Sequence, residues 1–394
     1  MDGGLKRSIG PFLLTAYGVG VMVGAGIYVL IGSVAASAGL WAPAAFLAAG
    51  LIAALSALSY AEFAARIPEA AGAASYVDEG FGLRWLTILT GLAVALSGVI
   101  SAAAVLRGGV GYLETILAVP PVGAILGLGI VLTGIAILGA RLSLGLAAVL
   151  TAIEVAGLLI ASGAGLAAEP APDWTAPASP VWSGLAAATA LAFFAFIGFE
   201  DMANMAEEVH RPARTVPFGI IAALLVTTLL YGLVALAAVR AVPVAELAAS
   251  RQPLALVWAR GSGLSPAYLS TIAVAAALNG VLAQIIMAAR MLYGLGRRTP
   301  ALAIFHRAHP RFATPVLATL LAGGGAVLGA VLLPVDRLAD LTSTVLLMVF
   351  ALVNLALIRV KRRAPDSAFR LPIWVPVAGL VTALAAFAAS VWDG

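Results

Sequence analysis

The 394 residues are 62% hydrophobic and 10% charged, with a mean hydropathy of +1.08, which excludes a soluble domain and calls for burial in a bilayer. The net charge of +4 resides in connecting segments and does not suggest nucleic-acid binding. There is no Cys, so disulfides, thiolate chemistry and Cys-metal centres are excluded, and His210, His306 and His309 lie in polar, Arg-containing connections that support neither a metal centre nor an intramembrane hydrolase.

Runs of about 20 apolar residues mark spanning helices. Eleven occur, near 11–37, 41–65, 83–115, 121–140, 143–167, 184–206, 218–240, 266–296, 314–333, 338–359 and 372–392. Lys6 and Arg7, the first run and Ala36-Ser37-Ala38 resemble a signal peptide. The run is about twice an h-region in length, so it reads as an uncleaved first helix.

Val19 to Leu30 of that helix holds Gly20, Gly24 and Gly26. A Gly-Ala-Gly cluster at mid-depth invites unwinding, and unwound backbone is tolerated there only inside protein or along a cavity. A restarting helix offers free N–H groups and a positive dipole end to a carboxylate. Close helix packing through Gly20 and Gly24 is the alternative.

Glu62, Glu207 and Glu208 fall at helix ends near Arg66, Arg211 and Arg214, where ion pairs would shape an inner gate. Residues 66–82 are polar with small side chains and predict a cytoplasmic amphipathic segment. Arg107, in the third span, either partners Glu154 or snorkels outward beside Tyr112 and Glu114. Glu154 lies near the centre of the fifth span, where an isolated carboxylate is a functional candidate. It could carry a proton, bind a sodium ion or the amine of a substrate, or hydrogen-bond the free amides of the first break. The 169–183 connection is Pro-rich, with Trp174 and Trp182 suited to the interface.

The sixth span carries a second interruption, Phe193 to Glu200. Unwound carbonyls of Phe194, Ala195 and Ile197 would accept hydrogen bonds from an ammonium group. Carboxylate donors on one break and amine acceptors on the other describe an α-amino acid. Glu200 either lines or gates a pathway or supplies a carboxylate to the restarting helix. Asn279 on the eighth span, and Thr342, Ser343 and Thr344 on the tenth, are pathway or interhelical polar groups. The basic 297–314 connection could turn Phe305 and Phe312 toward the membrane.

With the N-terminus in the cytoplasm, inner segments hold sixteen Lys and Arg against four outside, so the positive-inside rule fixes that orientation and an outer C-terminus. Spans 1–5 (about 11–167) and 6–10 (about 184–360) match in length, with one extra helix at 372–392. An odd number of spans per half is the condition for an inverted repeat, and each half opens on a broken helix.

These breaks, with Leu58-Ser59-Tyr60-Ala61-Glu62 and the Ala206–Pro217 stretch Ala-Glu-Glu-Val-His-Arg-Pro-Ala-Arg-Thr-Val-Pro, resemble the amino acid–polyamine–organocation (APC) superfamily, in particular its bacterial amino-acid permeases, through nearly all of the spans. The resemblance implies an all-α membrane protein of about eleven transmembrane helices, a five-plus-five inverted repeat with discontinuous helices 1 and 6, and alternating access. It implies carboxylate binding at Gly24, Ala25 and Gly26, amine binding at Phe194 and Ile197, and Phe194 as an aromatic gate; Ile27, Ala195 and Gly198 complete the substrate-binding set. Ala25 stands where many relatives have Ser or Thr, Ala71-Gly72 replaces a Gly-Gly pair, and a twelfth span is lacking. Some proton-coupled relatives place a Lys at what looks like the Glu154 position.

The resulting expectation is a secondary transporter of amino acids in a bacterial cytoplasmic membrane, proton-linked or exchanging, with no cofactor and an unassigned oligomeric state. The apolar surroundings of both breaks favour a small neutral or aliphatic substrate. Leu278-Asn279-Gly280 lacks the paired hydroxyls of a sodium site, so a proton on Glu154 is preferred. A polyamine or organic-amine transporter of the same fold, or a transport-dead sensor or partner subunit, is the alternative. Nothing supports an enzyme: no nucleophile–His pair, metal cluster or phosphate loop is visible.

Overall fold

Backbone polar groups in hydrocarbon must be satisfied within the segment or by a closed barrel, so long apolar runs become helices. A computed structural model describes residues 9–24, 26–67, 72–138, 144–175, 179–309, 311–312 and 314–392. Among the described residues the regular elements are helices, with one isolated bridge between Ile9 and Val209. Eight helical stretches are long and apolar enough to cross a membrane, and the shorter apolar helices Pro11–Val23, Val316–Leu332 and Trp374–Ser390 accompany them.

Every one of the eleven apolar runs becomes a helical passage. The first is split into α1 (Pro11–Val23) and α2 (Gly26–Ala38), and a 3-10 turn leads to α3 (Ala42–Arg66). Then follow α4 (Gly72–Phe81), α5 (Arg84–Leu113), α6 (Pro121–Leu138), α7 (Leu144–Ala167) and the one-turn α8 (Pro172–Thr175). The sixth passage comprises α9 (Trp182–Phe193), a 3-10 turn at Phe194–Phe196 and α10 (Phe199–Asn204). After it come α11 (Pro212–Ala241), the short α12 (Val244–Ala249) and α13 (Pro253–Ser262), and α14 (Ala267–Arg298). The chain ends in α15 (Val316–Leu332), α16 (Val335–Arg363) and α17 (Trp374–Trp392).

Both breaks are present. α1 stops where Gly24 takes φ +25°, and the second interruption runs through extended Ile197 to Gly198 at φ +122°. Arg84 at the start of α5, Arg297 at the end of α14 and Arg359 near the end of α16 share one end of the bundle, called the basic face below.

Within the segment expected to be amphipathic, α4 buries Ala73, Ala74, Tyr76 and Val77 against α5 and α16 and leaves Asp78 and Glu79 exposed. Aromatic packing captures it: Tyr76 stacks on Phe63 with centroids 4.6 Å apart and meets Tyr60 edge-on at 5.6 Å.

Helices in lipid gain no hydrophobic force from one another, so they associate through small residues and polar links. α5 and α14 lie side by side, and a Cβ on Gly109 would come 2.5 Å from that of Ala277. A buried polar link joins α3 to α16: Ser59 donates to Asn354 Oδ1 at 2.7 Å, and Asn354 Nδ2 donates to Ser56 Oγ at 3.0 Å and to the Phe350 carbonyl at 2.8 Å. Asn354→Ala is expected to lower stability by about 1–2 kcal/mol. A thermal midpoint equal to that of the parent protein would show this link to be inert.

Candidate functional site

α2 restarts at Gly26 with no acidic residue in its first turn, so its leading N–H groups and positive end face the gap uncompensated by a side-chain carboxylate. Glycine is needed on both sides because the breaks touch. A Cβ on Gly26 would lie 3.1 Å from Ala195 Cα, and one on Gly198 would lie 2.5 Å from Val21 Cγ1. One phenol from α11 ties them together: Tyr231 Oη lies 2.6 Å from the Met22 carbonyl and 2.9 Å from that of Ala195. Its single proton is shared between the two broken passages.

A cavity of about 40 Å³ lies at this junction. Gly24 and Gly26 line it from the first break, Phe194 and Ile197 from the second, and Ser101, Asn279 and Gln284 from α5 and α14. Gly24, Gly26, Phe194, Ile197 and Asn279 are thus brought together as expected. The residues lining the cavity do not include Ile27, Ala195 or Gly198. Ile27 is fully buried, the Ala195 carbonyl accepts Tyr231 Oη, and Gly198 packs on Val21. Ala25 lies outside the described residues.

Glu154 sits behind the first break, 2% exposed. Its backbone carbonyl accepts Tyr28 Oη at 3.0 Å. Among the described residues its carboxylate oxygens have no hydrogen-bond partner, and the Asn279 side chain faces it without closing a bond of standard geometry. Among the described residues, no bond joins this carboxylate to the amides of the break. Asn279 instead stands between the carboxylate and the cavity. Arg107 is not its partner either. The guanidinium donates to the Ala330 carbonyl at 2.6 Å and to that of Val331 at 3.4 Å, capping the carbonyl end of α15 where a cation is favoured.

Glu200 lies at the start of α10. Its Oε2 accepts Gly198 N–H at 2.9 Å, capping α10. With Asp201 it also lines a second cavity of about 20 Å³, which shares Ile197 and Gln284 with the first. Met287 and Met291 then separate this cavity from a vestibule of about 480 Å³ on the basic face, lined by Asp78, Arg84, Glu208, Arg290 and Arg297. Residues 280, 284, 287, 291 and 294 supply one wall throughout, a spacing that keeps them on one face of α14. The opposite end is covered. Tyr112 Oη donates to the Tyr28 carbonyl and accepts Leu254 N–H at 3.3 Å, and α12 packs on α2 at Gly32.

The basic face also carries a buried clasp. Glu62, fully buried, accepts Arg66 Nη2 at 2.6 Å and Lys361 Nζ at 2.8 Å on each oxygen. Leu371 N–H reaches Glu62 Oε2 at 3.0 Å, and Lys361 donates to the Leu371 carbonyl at 2.6 Å. The Arg66 partner was expected; Lys361 was not. Glu208 lines the vestibule, while the Glu207 side chain is outside the described residues. Thr342 bonds back to the Leu338 carbonyl at 2.8 Å and Thr344 meets Ser390 Oγ at 3.1 Å, so both serve the scaffold.

Sequence reasoning passed over Gln284, Ser101, Asp201 and Tyr231. A lone Gln inside an apolar run and a second carboxylate beside Glu200 are signals that could have found two of them.

A model of the amino acid permease family matches residues 9–392. The chain is 29% identical over 400 residues to a branched-chain amino acid permease of Bacillus subtilis, covering 95% of this chain and 85% of that one. It is 30% identical over 402 residues to a methylthioribose transporter of the same organism, covering 96% and 87%. A vacuolar cationic amino acid transporter of Arabidopsis thaliana is 32% identical over 392 residues, covering 92% of this chain but 61% of its own length.

Proposed function

We propose, from the premise that this chain belongs to the amino acid permease family, that it is a secondary transporter moving a small neutral α-amino acid across a bacterial cytoplasmic membrane. One observation carries the reading: a single cavity has the restart of α2 at Gly26 on one wall and the 3-10 turn at Phe194 with extended Ile197 on another. The first suits a carboxylate, and the backbone carbonyls of the second suit an amine. No charged side chain is among the described residues lining that cavity, which favours a neutral substrate. Its volume of about 40 Å³ is room for roughly three waters, so a bound amino acid requires the walls to part.

The basic face is the cytoplasmic one under the positive-inside rule, so the vestibule opens inward. The halves 11–167 and 184–360 form an inverted repeat whose broken helices meet at the site. Gly24, Ala25 and Gly26 bind the carboxylate, Phe194 and Ile197 bind and cover the amine, and Glu200 gates the inner exit. Glu154 carries the coupling proton, supported by its burial without a hydrogen-bond partner among the described residues and by Asn279 between it and the site.

Proteoliposomes are expected to take up or exchange members of a labelled amino-acid panel; no flux or binding of any member would refute the reading. Glu154→Gln is expected to abolish accumulation driven by a pH gradient while leaving exchange intact. Unchanged accumulation would remove Glu154 from coupling. The Ala at position 25, with no hydroxyl to offer a carboxylate, favours a second reading, an organic amine. Competition by the decarboxylated analogue equal to that of the amino acid would select it.

A further inference from the structure

Where α16 ends and α17 begins, a pocket of about 510 Å³ opens on the basic face, lined by Lys361, Pro365, Arg370, Leu371, Pro372 and Ile373. The neighbouring segment is strongly cationic: residues 359–370 hold Arg359, Lys361, Arg362, Arg363 and Arg370 against the single carboxylate of Asp366. Two of these cations are already engaged. Lys361 spends its three donors on Glu62 and the Leu371 carbonyl, and Arg359 donates to the Gly80 carbonyl at 3.0 Å and lies over the Phe81 ring. Arg362, Arg363 and Arg370 remain exposed, and Asp366, itself 99% exposed, reaches Arg370 only at 4.0 Å. An exposed pair at that distance contributes little, so it competes weakly with an incoming anion.

The pocket is continuous with a lipid-facing strip. Ile373, Val377, Val381 and Leu384 are exposed at helical spacing along α17, and Trp374 is exposed beside the cationic rim. Basic charge at the membrane interface, an interfacial Trp and an apolar strip running from them into the hydrocarbon are the two halves of one amphiphile's shape. We propose that this pocket seats the phosphate headgroup of an anionic phospholipid, with an acyl chain along the exposed face of α17. Arg370, which lines the pocket, anchors the headgroup, and the exposed Arg362 and Arg363 at the end of α16 add to the cationic field around it. The clasp of Glu62, Arg66 and Lys361 fixes the 364–371 loop that presents Arg370, so the lipid steadies the same junction from outside.

The test uses the full chain in phosphatidylcholine nanodiscs titrated with phosphatidylglycerol. Retention of phosphatidylglycerol is read by native mass spectrometry, and stabilisation by the thermal midpoint. Phosphatidylglycerol is expected to be retained and to raise the midpoint. Each Arg→Gln change at 362, 363 or 370 is expected to weaken retention about fivefold, and Arg251→Gln, beside Glu114 at the opposite end next to Tyr112, should not. Equal retention of both lipids, or an unaffected triple variant, overturns the proposal. Millimolar inorganic phosphate should fail to displace the lipid; displacement would assign the pocket to free phosphate and overturn the lipid source. A photoactivatable phosphatidylglycerol on the unmodified chain guards against misfolded variants: crosslinks within residues 362–384 support the site, and crosslinks confined elsewhere refute it.

Discussion

Gly198→Ala is expected to cut the initial rate of uptake at least tenfold and to lower the thermal midpoint. Gly198 holds φ +122°, a conformation that costs an L-residue about 1–3 kcal/mol. The added methyl would meet Val21 Cγ1 at 2.5 Å and the Val21 carbonyl carbon at 3.3 Å. The side chain can move aside, but the backbone of the first broken helix cannot without displacing the cavity wall that Val21 and Met22 also form. Gly127→Ala on α6, where a Cβ meets nothing within 4 Å, is the neutral control. Parent-level uptake by the Gly198 variant would mean that the close approach of the two breaks is dispensable.

Glu62→Ala is expected to destabilise the protein by about 3–5 kcal/mol, the cost of leaving a buried charge without its partner. Two cations are stranded, since the Arg66 and Lys361 side chains are only 8% and 6% exposed. Lys361→Met should cost less, because Glu62 keeps Arg66 and the Leu371 N–H. Glu62→Gln combined with Lys361→Met should cost less than the two single changes added together, because the pair disappears as a unit. Thermal midpoints of the parent, Glu62→Gln, Lys361→Met and the double variant measure this; strict additivity would dissolve the clasp into independent contacts.

The eleven spans and both breaks are legible in the sequence because each depends on local properties, apolar length and the placement of glycine. Gly24, Gly26, Phe194 and Ile197 could be assigned to one site for the same reason, as residues of the breaks themselves. The rest of the site depends on distant partners. Tyr231 is one Tyr in a long apolar run, and its two acceptors lie 209 and 36 residues away. Lys361 reads as one more cation in a basic loop, yet it closes on a carboxylate 299 residues distant. α12 and α13 have 6 and 10 residues, too few for a periodic pattern to separate them from loop. α4 was recognised as amphipathic, but whether its apolar side meets lipid or protein is decided by Tyr60, Phe63 and α16, not by its own composition.

The series of cavities toward the basic face has a kinetic consequence. The obstacles on that side are side chains: Ile197 with Gln284, then Met287 with Met291. Of these, Gln284, Met287 and Met291 are long and unbranched and rearrange by rotamer changes, on timescales of about picoseconds to nanoseconds when unconfined. On the other side, the cover is backbone: α12 against α2, and a Tyr28–Tyr112–Leu254 chain of hydrogen bonds. Moving packed helices takes about microseconds to milliseconds. A molecule held at the junction therefore faces two exits with very different clocks, a turnstile toward the basic face and a heavy door opposite. The slow step of a transport cycle built on this architecture is expected at the door.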